Sequence, residues 1–186
     1  MSNLNIYING SNREKNCFNI LNDIKENNEE IISLINKDIK FCTGCNTCIK
    51  NIEKLCVLDD YITNEVYSKI LSSDNIIIAS PIYMSNVTGI LKTLIDRFNP
   101  FYNHSLLKNK KIFLILVGQG TKEENNDEIN SIVKWFTGIS EWIPFNFEYL
   151  DYLSSGNIEK IDNVKINNKD YNNILSQIKN SIRNEK

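Results

Sequence analysis

At 186 residues, with Lys+Arg 21 against Asp+Glu 23 and a net charge of −2, the chain has the size of one domain and no basic excess for nucleic acid or an anionic membrane surface. Its hydrophobic content of 41% is ordinary for a globule with a full core. The longest apolar runs, Ile76 to Ala79 and Ile112 to Val117, are strand-sized and far short of the ~20 residues of a membrane helix, so no membrane association and a cytoplasmic location are expected.

Leu4 to Asn9 is β-branched and aromatic and ends at Gly10-Ser11, after which Cys17, Ile20, Leu21 and Ile24 recur at helical spacing, giving strand, turn and helix. A short second strand near Glu30 to Leu34 leads into a cysteine-rich loop over 42–56. Asp59-Asp60 then opens a helix with Ile62, Val66 and Ile70 on one face, and Asp60 reads as its N-cap. Ile76 to Ala79 is too uniformly apolar for a half-exposed strand and fits a central parallel one. Val87, Ile90, Leu91, Leu94, Ile95 and Phe98 make one continuous helical stripe, along which Lys92 and Asp96 pair four residues apart. The polar stretch Asn103 to Lys110 follows, where His104 reads as a surface residue. Lys111 to Val117 is a second buried strand closed by Gly118-Gln119-Gly120. Ile129, Ile132, Val133, Phe136 and Ile139 mark the next helix, Phe145, Phe147 and Tyr149 alternate as an edge strand, and Tyr171, Ile174, Leu175, Ile178 and Ile182 mark a closing helix.

Five strands alternating with five helices predict an α/β fold, a doubly wound five-stranded parallel sheet with helices on both faces, in a single domain over 1–186. Ligands of such sheets sit beyond the carboxyl ends of the strands where strand order reverses, which singles out the loops Gly10 to Asn16, Ser80 to Asn86 and Gly118 to Thr121. The first of these joins a strand to a helix amino end and carries Ser11, Asn12 and Arg13, so a phosphate fits there against free N–H groups, a hydroxyl and a guanidinium. It is neither a Walker loop nor the G-x-G-x-x-G dinucleotide pattern.

The second chemical feature is Cys42-Thr-Gly-Cys45-Asn-Thr-Cys48 followed by Cys56, four of the chain's 5 cysteines, with Cys17 standing apart in the first helical stripe. Steps of three let thiolates converge within one loop, and the longer step to Cys56 closes a fourth position. An iron-sulfur cluster, a structural zinc and a set of idle thiols all remain open on spacing alone. Disulfides fit less well, since no secretory leader precedes them.

Taken together, Gly10-Ser11-Asn12-Arg13, the block from Cys42 through Cys56 to Asp59-Asp60, and Ser80-Pro81-Ile82-Tyr83 with Gly89-Ile90-Leu91-Lys92 and Ile95-Asp96-Arg97 resemble the flavodoxin-like NAD(P)H-dependent FMN reductases, and more narrowly the iron-sulfur flavoproteins of anaerobes. The resemblance covers the first two thirds of the chain. It implies FMN with its phosphate at Ser11, Asn12, Arg13, Asn16, Cys17 and Phe18, and its ribityl and ring against Ser80, Pro81, Ile82, Tyr83, Met84 and Asn86. The ring's pyrimidine side would then face Gly118, Gln119, Gly120 and Thr121. Asn16-Cys17-Phe18 replaces the family's small polar run, which leaves the phosphate to backbone N–H groups, and Met84 replaces a frequent aromatic, which leaves stacking to Tyr83 or a partner subunit. The same likeness implies a 4Fe-4S cluster on Cys42, Cys45, Cys48 and Cys56, NAD(P)H as co-substrate, a small-molecule or protein electron donor and acceptor, and a homodimer or homotetramer. No catalytic acid or base is expected, because hydride passes directly from nicotinamide to flavin. A cysteine loop after the second strand would place the cluster on the flavin's edge of the sheet. The alternative function is a non-enzymatic electron carrier of flavodoxin or ferredoxin type.

Overall fold

A computed structural model describes residues 4–51, 53–121, 123–154 and 169–183. Five parallel strands, β1 Asn5–Asn9, β2 Ile31–Ser33, β3 Asn75–Pro81, β4 Lys111–Gln119 and β5 Asn146–Ser154, form one sheet in the order β2-β1-β3-β4-β5. The helices are α1 Asn16–Ile24, α2 Thr47–Lys50, α3 Tyr67–Ser72 with a π-helical lead-in over Ile62–Val66, α4 Gly89–Asp96, α5 Asn99–Asn103, α6 Asn126–Trp142 and α7 Lys169–Arg183. This is the flavodoxin-like order, with its reversal between β1 and β3.

Isoleucine runs in the central strands explain the two-sided core. All seven residues of β3 are buried, as are the first seven of β4, which a strand covered by helices on both faces requires. Alternation sends Ile6, Ile8, Ile76, Ile78, Ile112, Leu114 and Leu116 toward α3 to α6. It sends Tyr7, Ile77, Ala79, Phe113, Ile115 and Val117 to the other side, against Cys17, Ile20, Leu21 and Ile24 of α1 and Ile178 and Ile182 of α7. Of the stripe expected on α7, the side chains of Tyr171 and Ile174 lie outside the described residues.

The structure redraws three boundaries. The stripe from Val87 to Phe98 is interrupted: α4 stops at Asp96 and α5 restarts at Asn99, because Pro100 lacks an N–H and its ring clashes with a continuing helix. Two short helices, α2 in the cysteine loop and α5, thereby join the five expected ones. Gly118 and Gln119 belong to β4, paired with Leu153 and Ser154, because β5 runs on past Tyr149 and offers them a ladder.

Asp60 caps its helix as expected, accepting the Thr63 N–H at 3.0 Å. It also enters a buried ion pair that no local pattern predicts. Arg97, just past α4, reaches 37 residues back to grip both oxygens, with Nη1 2.7 Å from Oδ2 and Nη2 3.2 Å from Oδ1. The two side chains are 1% and 0% exposed. Nη1 also donates to the Lys40 carbonyl at 2.9 Å and Nη2 to Thr63 Oγ1 at 2.7 Å, while Asp60 accepts the Lys40 N–H at 2.9 Å. Burial alone would raise the Asp60 pKa, but the hydrogen bonds from Arg97, Lys40 and Thr63 and the Arg97 charge hold it below the ordinary carboxylate range.

Because its folded pKa is depressed, the stability Asp60 contributes is present above the ordinary value of 3.8 and is lost as pH falls through the lower folded value. Asp60→Asn leaves Arg97 buried without its counter-charge and should cost about 3–5 kcal/mol in urea unfolding at neutral pH. The gap to the wild type should narrow steadily in acid below that value; a gap independent of pH would refute this role.

Candidate functional site

Three loops leave the carboxyl ends of adjacent strands β1, β3 and β4, and the first two are tied to each other. Gly10 opens the first: its N–H donates to the Ala79 carbonyl at 2.8 Å, and a Cβ there would lie 3.1 Å from both that oxygen and Leu91. Only a glycine lets the loop pass this close to β3 and α4. Thr88 caps α4 by accepting the Leu91 N–H at 3.2 Å and donates its hydroxyl to the Gly10 carbonyl, locking the second loop to the first. Ser11 is buried, its N–H on Asn9 Oδ1 and its Oγ accepting the Arg13 N–H at 3.1 Å. Arg13 in turn donates to Tyr83 Oη at 3.3 Å, so the guanidinium spans the gap between loops one and two.

Helix α1 begins with no side-chain cap and no acid in its first turn. Its first N–H groups and the positive end of its dipole therefore face the first loop, an arrangement suited to an anion. Asn12 and Arg13 are exposed and Asn16 and Phe18 half-buried. Cys17 is not at the surface: its side chain packs in the core under α1, where burial pushes its thiol up to about 12. Only its backbone can meet a phosphate.

The second loop makes a tight turn. Tyr83 and Asn86 exchange backbone hydrogen bonds of 2.7 and 3.1 Å, and the two residues between them, Met84 at φ 48° and Ser85 at φ 59°, are both left-handed. Positive φ at both central positions defines a type I′ turn, which prefers Asn and Gly, so these two residues hold a costly conformation. Met84 is 98% exposed at the tip, beside Tyr83 at 38%. Ser80 and Pro81 are buried beneath. The Ser80 hydroxyl donates to the Pro81 carbonyl and accepts the Thr88 N–H, so it braces the loop from inside.

Gly120 and Thr121 form the third loop, now that Gly118 and Gln119 are strand. Thr121 and Glu124 cap each other, N–H to Oε2 at 2.8 Å and N–H to Oγ1 at 3.2 Å, and Asn125 Nδ2 donates to the Gln119 and Thr121 carbonyls. Glu124 and Asn125 were missed in the sequence, although Thr-x-x-Glu is the spacing of a capping box.

The four clustered cysteines line one small cavity, whose wall also includes Tyr67, Asp96, Arg97, Asn99 and Pro100. All five cysteines are free, so no disulfide competes. Gly44 at φ 65° and Asn46 at φ 58° turn the loop back on itself and bring Cys42, Cys45 and Cys48 to the same cavity. Hydrogen bonds from the Thr47 hydroxyl and N–H hold the Cys45 thiol below its ordinary pKa, toward thiolate. Asn99 Nδ2 donates to Cys48 Sγ at 3.1 Å, and His104 Nε2 lies 3.3 Å from the Cys48 carbonyl. His104 is therefore half-buried against this loop and not the surface residue expected. Among the described residues no three Cys, His, Asp or Glu side chains gather closely enough to hold a metal ion.

This cavity lies away from the three loops, none of whose described residues lines it. Thr88, at the amino end of α4, touches the first loop, whereas Asp96 and Arg97, at the carboxyl end, wall the cysteines. The eight residues of α4 between these contacts span about 12 Å along the helix axis.

The model of the NADPH-dependent FMN reductase family matches residues 6–136. The chain belongs to that family. It is 36% identical over 128 residues to an iron-sulfur flavoprotein of Methanocaldococcus jannaschii, covering 67% of this chain and 63% of that one. An iron-sulfur flavoprotein of Archaeoglobus fulgidus is 36% identical over 107 residues, covering 56% of this chain and 47% of that one. The chain thus spans about half to three fifths of the length of these relatives. An NADPH-quinone reductase of P. pentosaceus superposes over 100% of both chains with a TM-score of 0.65 at 13% identity, a likeness of fold. Within this fold the FMN reductase match spans all three loops and the cysteine segment.

Replacing Met84 by Asn and Ser85 by Gly gives the turn residues that left-handed backbone accepts without strain. The double variant should be more stable by about 1 kcal/mol in thermal or urea unfolding, since an exposed Met84 surrenders little packing. Unchanged or lower stability would mean the turn is not strained.

Proposed function

We propose that this chain is an FMN-dependent oxidoreductase that takes electrons from NAD(P)H or a reduced protein donor and passes them to an acceptor by way of a 4Fe-4S cluster on Cys42, Cys45, Cys48 and Cys56. The observation that carries this reading is that four thiols of ligand spacing wall one cavity in a chain of the FMN reductase family. A tight run of three cysteines with a fourth further on suits a four-iron cluster better than zinc, whose all-cysteine sites usually come as two separated Cys-x-x-Cys knuckles.

Bound FMN accepts hydride and a cluster exchanges single electrons, so together they match a two-electron donor to a one-electron acceptor. The residues supply position and polarity. The N–H groups of Asn16, Cys17 and Phe18, with Ser11, Asn12 and Arg13, hold the phosphate at the amino end of α1. Ser80, Pro81 and Ile82 shape the floor under the ribityl chain, and Tyr83, Met84 and Asn86 flank the ring. Gly118, Gln119, Gly120 and Thr121 bound its pyrimidine side, braced by Glu124 and Asn125. Nothing in hydride transfer demands a protein acid or base.

The whole chain, 1–186, acts as one FMN-binding domain in the cytoplasm, as a homodimer or homotetramer. No helix among the described residues is long and apolar enough to cross a membrane. An apolar groove between α4, α5 and α6, where Trp142 is 73% exposed, supports the oligomer.

Anaerobic protein should be brown, with one FMN and about four iron and four sulfide per chain. Cys45→Ser should lose the iron and leave a yellow flavoprotein, while Cys17→Ser keeps it. Protein reconstituted with zinc alone, or holding no metal, would rule the cluster out. Stopped-flow mixing separates enzyme from carrier: flavin bleached rapidly by NAD(P)H alone marks an enzyme, and flavin reduced only by a protein reductase marks a carrier. Ser11→Ala removes a hydrogen bond to a charged group worth about 1.5–3 kcal/mol, so FMN affinity should fall roughly 10- to 100-fold in titrations of apoprotein. Unaltered affinity would refute the phosphate placement.

A further inference from the structure

Among the described residues, one buried side-chain nitrogen or oxygen lacks a hydrogen-bond partner, and it is Arg97 Nε. The rest of that guanidinium is fully engaged, Nη1 by Asp60 and Lys40 and Nη2 by Asp60 and Thr63. The Tyr67 ring lies 5.9 Å from its central carbon, and Arg97 as a whole is 2% exposed. A buried donor held so firmly and given no acceptor calls for an explanation. Its position offers one, because Arg97 lines the cavity of the four cysteines.

We propose that the Arg97 Nε–H donates to sulfur of the group that Cys42, Cys45, Cys48 and Cys56 hold, and that Arg97 thereby sets the reduction potential of that group. This rests on the cluster reading above. Adding one electron to such a group adds one negative charge, and an N–H aimed at sulfur stabilises the more negative form. The full charges of Asp60 and Arg97 largely cancel at a distance. What acts on the sulfur is then the local Nε–H dipole, which the four anchoring contacts keep in place whether the group is oxidised or reduced. Arg97 is a positioning and tuning residue here and takes no part in hydride transfer.

The test begins with the wild type labelled with 15N-arginine, whose only other arginines are Arg13 and Arg183, assignable by Arg13→Lys and Arg183→Lys. Anaerobic reconstitution with iron and sulfide should shift the Arg97 Nε–H resonance and leave that of Arg183 in place. Dye-mediated titration with dithionite then compares Arg97→Lys, which keeps the cation and loses the Nε–H, with Thr63→Ala, which loosens the same guanidinium and keeps it. Arg97→Lys should lower the reduced-to-oxidised ratio about tenfold at a given potential, which is 59 mV for one electron. Thr63→Ala should lose stability without moving the potential. If the protein takes up iron and sulfide but the wild-type resonance does not shift, or both variants share one potential with the wild type, the assignment is wrong while the cluster stands. If no iron and sulfide bind, both fall. Should Arg97→Lys fail to fold, the wild-type resonance decides alone.

Discussion

Asp60 and Arg97 meet at 2.7 Å inside the protein, and much of what lies on one face of the sheet is fixed through that contact. Asp60 starts the helical segment after the cysteine loop, while Arg97 ends the helix whose other end touches the first loop. Lys40, on the approach to the cysteines, is held from both sides, its N–H by Asp60 and its carbonyl by Arg97. A buried pair gains little over well-packed apolar residues, yet losing one partner is expensive. Its value here is positional: it fixes both ends of a loop whose own residues are largely exposed.

The opposite end of α4 works by smaller contacts. Thr88 ties the helix start to Gly10, Ser80 supports Thr88 from below, and Arg13 crosses to Tyr83. Loops one and two therefore form a single frame, and the third is braced by Glu124 and Asn125. Two successive left-handed residues, Met84 and Ser85, stand here in an exposed turn after β3. The short helix α4 thus carries a loop frame at one end and the cysteine cavity at the other.

Several parts of this arrangement were legible in the chain because they rest on local rules. Apolar runs too uniform for an exposed strand identified β3 and β4, the Asp60 cap followed from its place before Ile62, and the cysteine spacing announced that thiols would meet. Other parts were legible and misread. Pro100 marks the break after Asp96, although the apolar stripe runs on across it to Phe98, and Thr121 with Glu124 has capping-box spacing just before α6.

By itself, then, the order of residues determined the alternating elements, the sheet's two-sided burial and the loops that carry chemistry, since periodicity, turn residues and ligand spacing act over a few positions. Only the tertiary structure decided what lay across the chain. It brought Arg97 onto Asp60 and onto the wall of the cysteine cavity, turned His104 in against Cys48, and set the cysteines at the far end of α4 from the first loop. Those outcomes depend on which helix packs beside which, and on where a buried charge can find its counter-charge, neither of which any local pattern encodes.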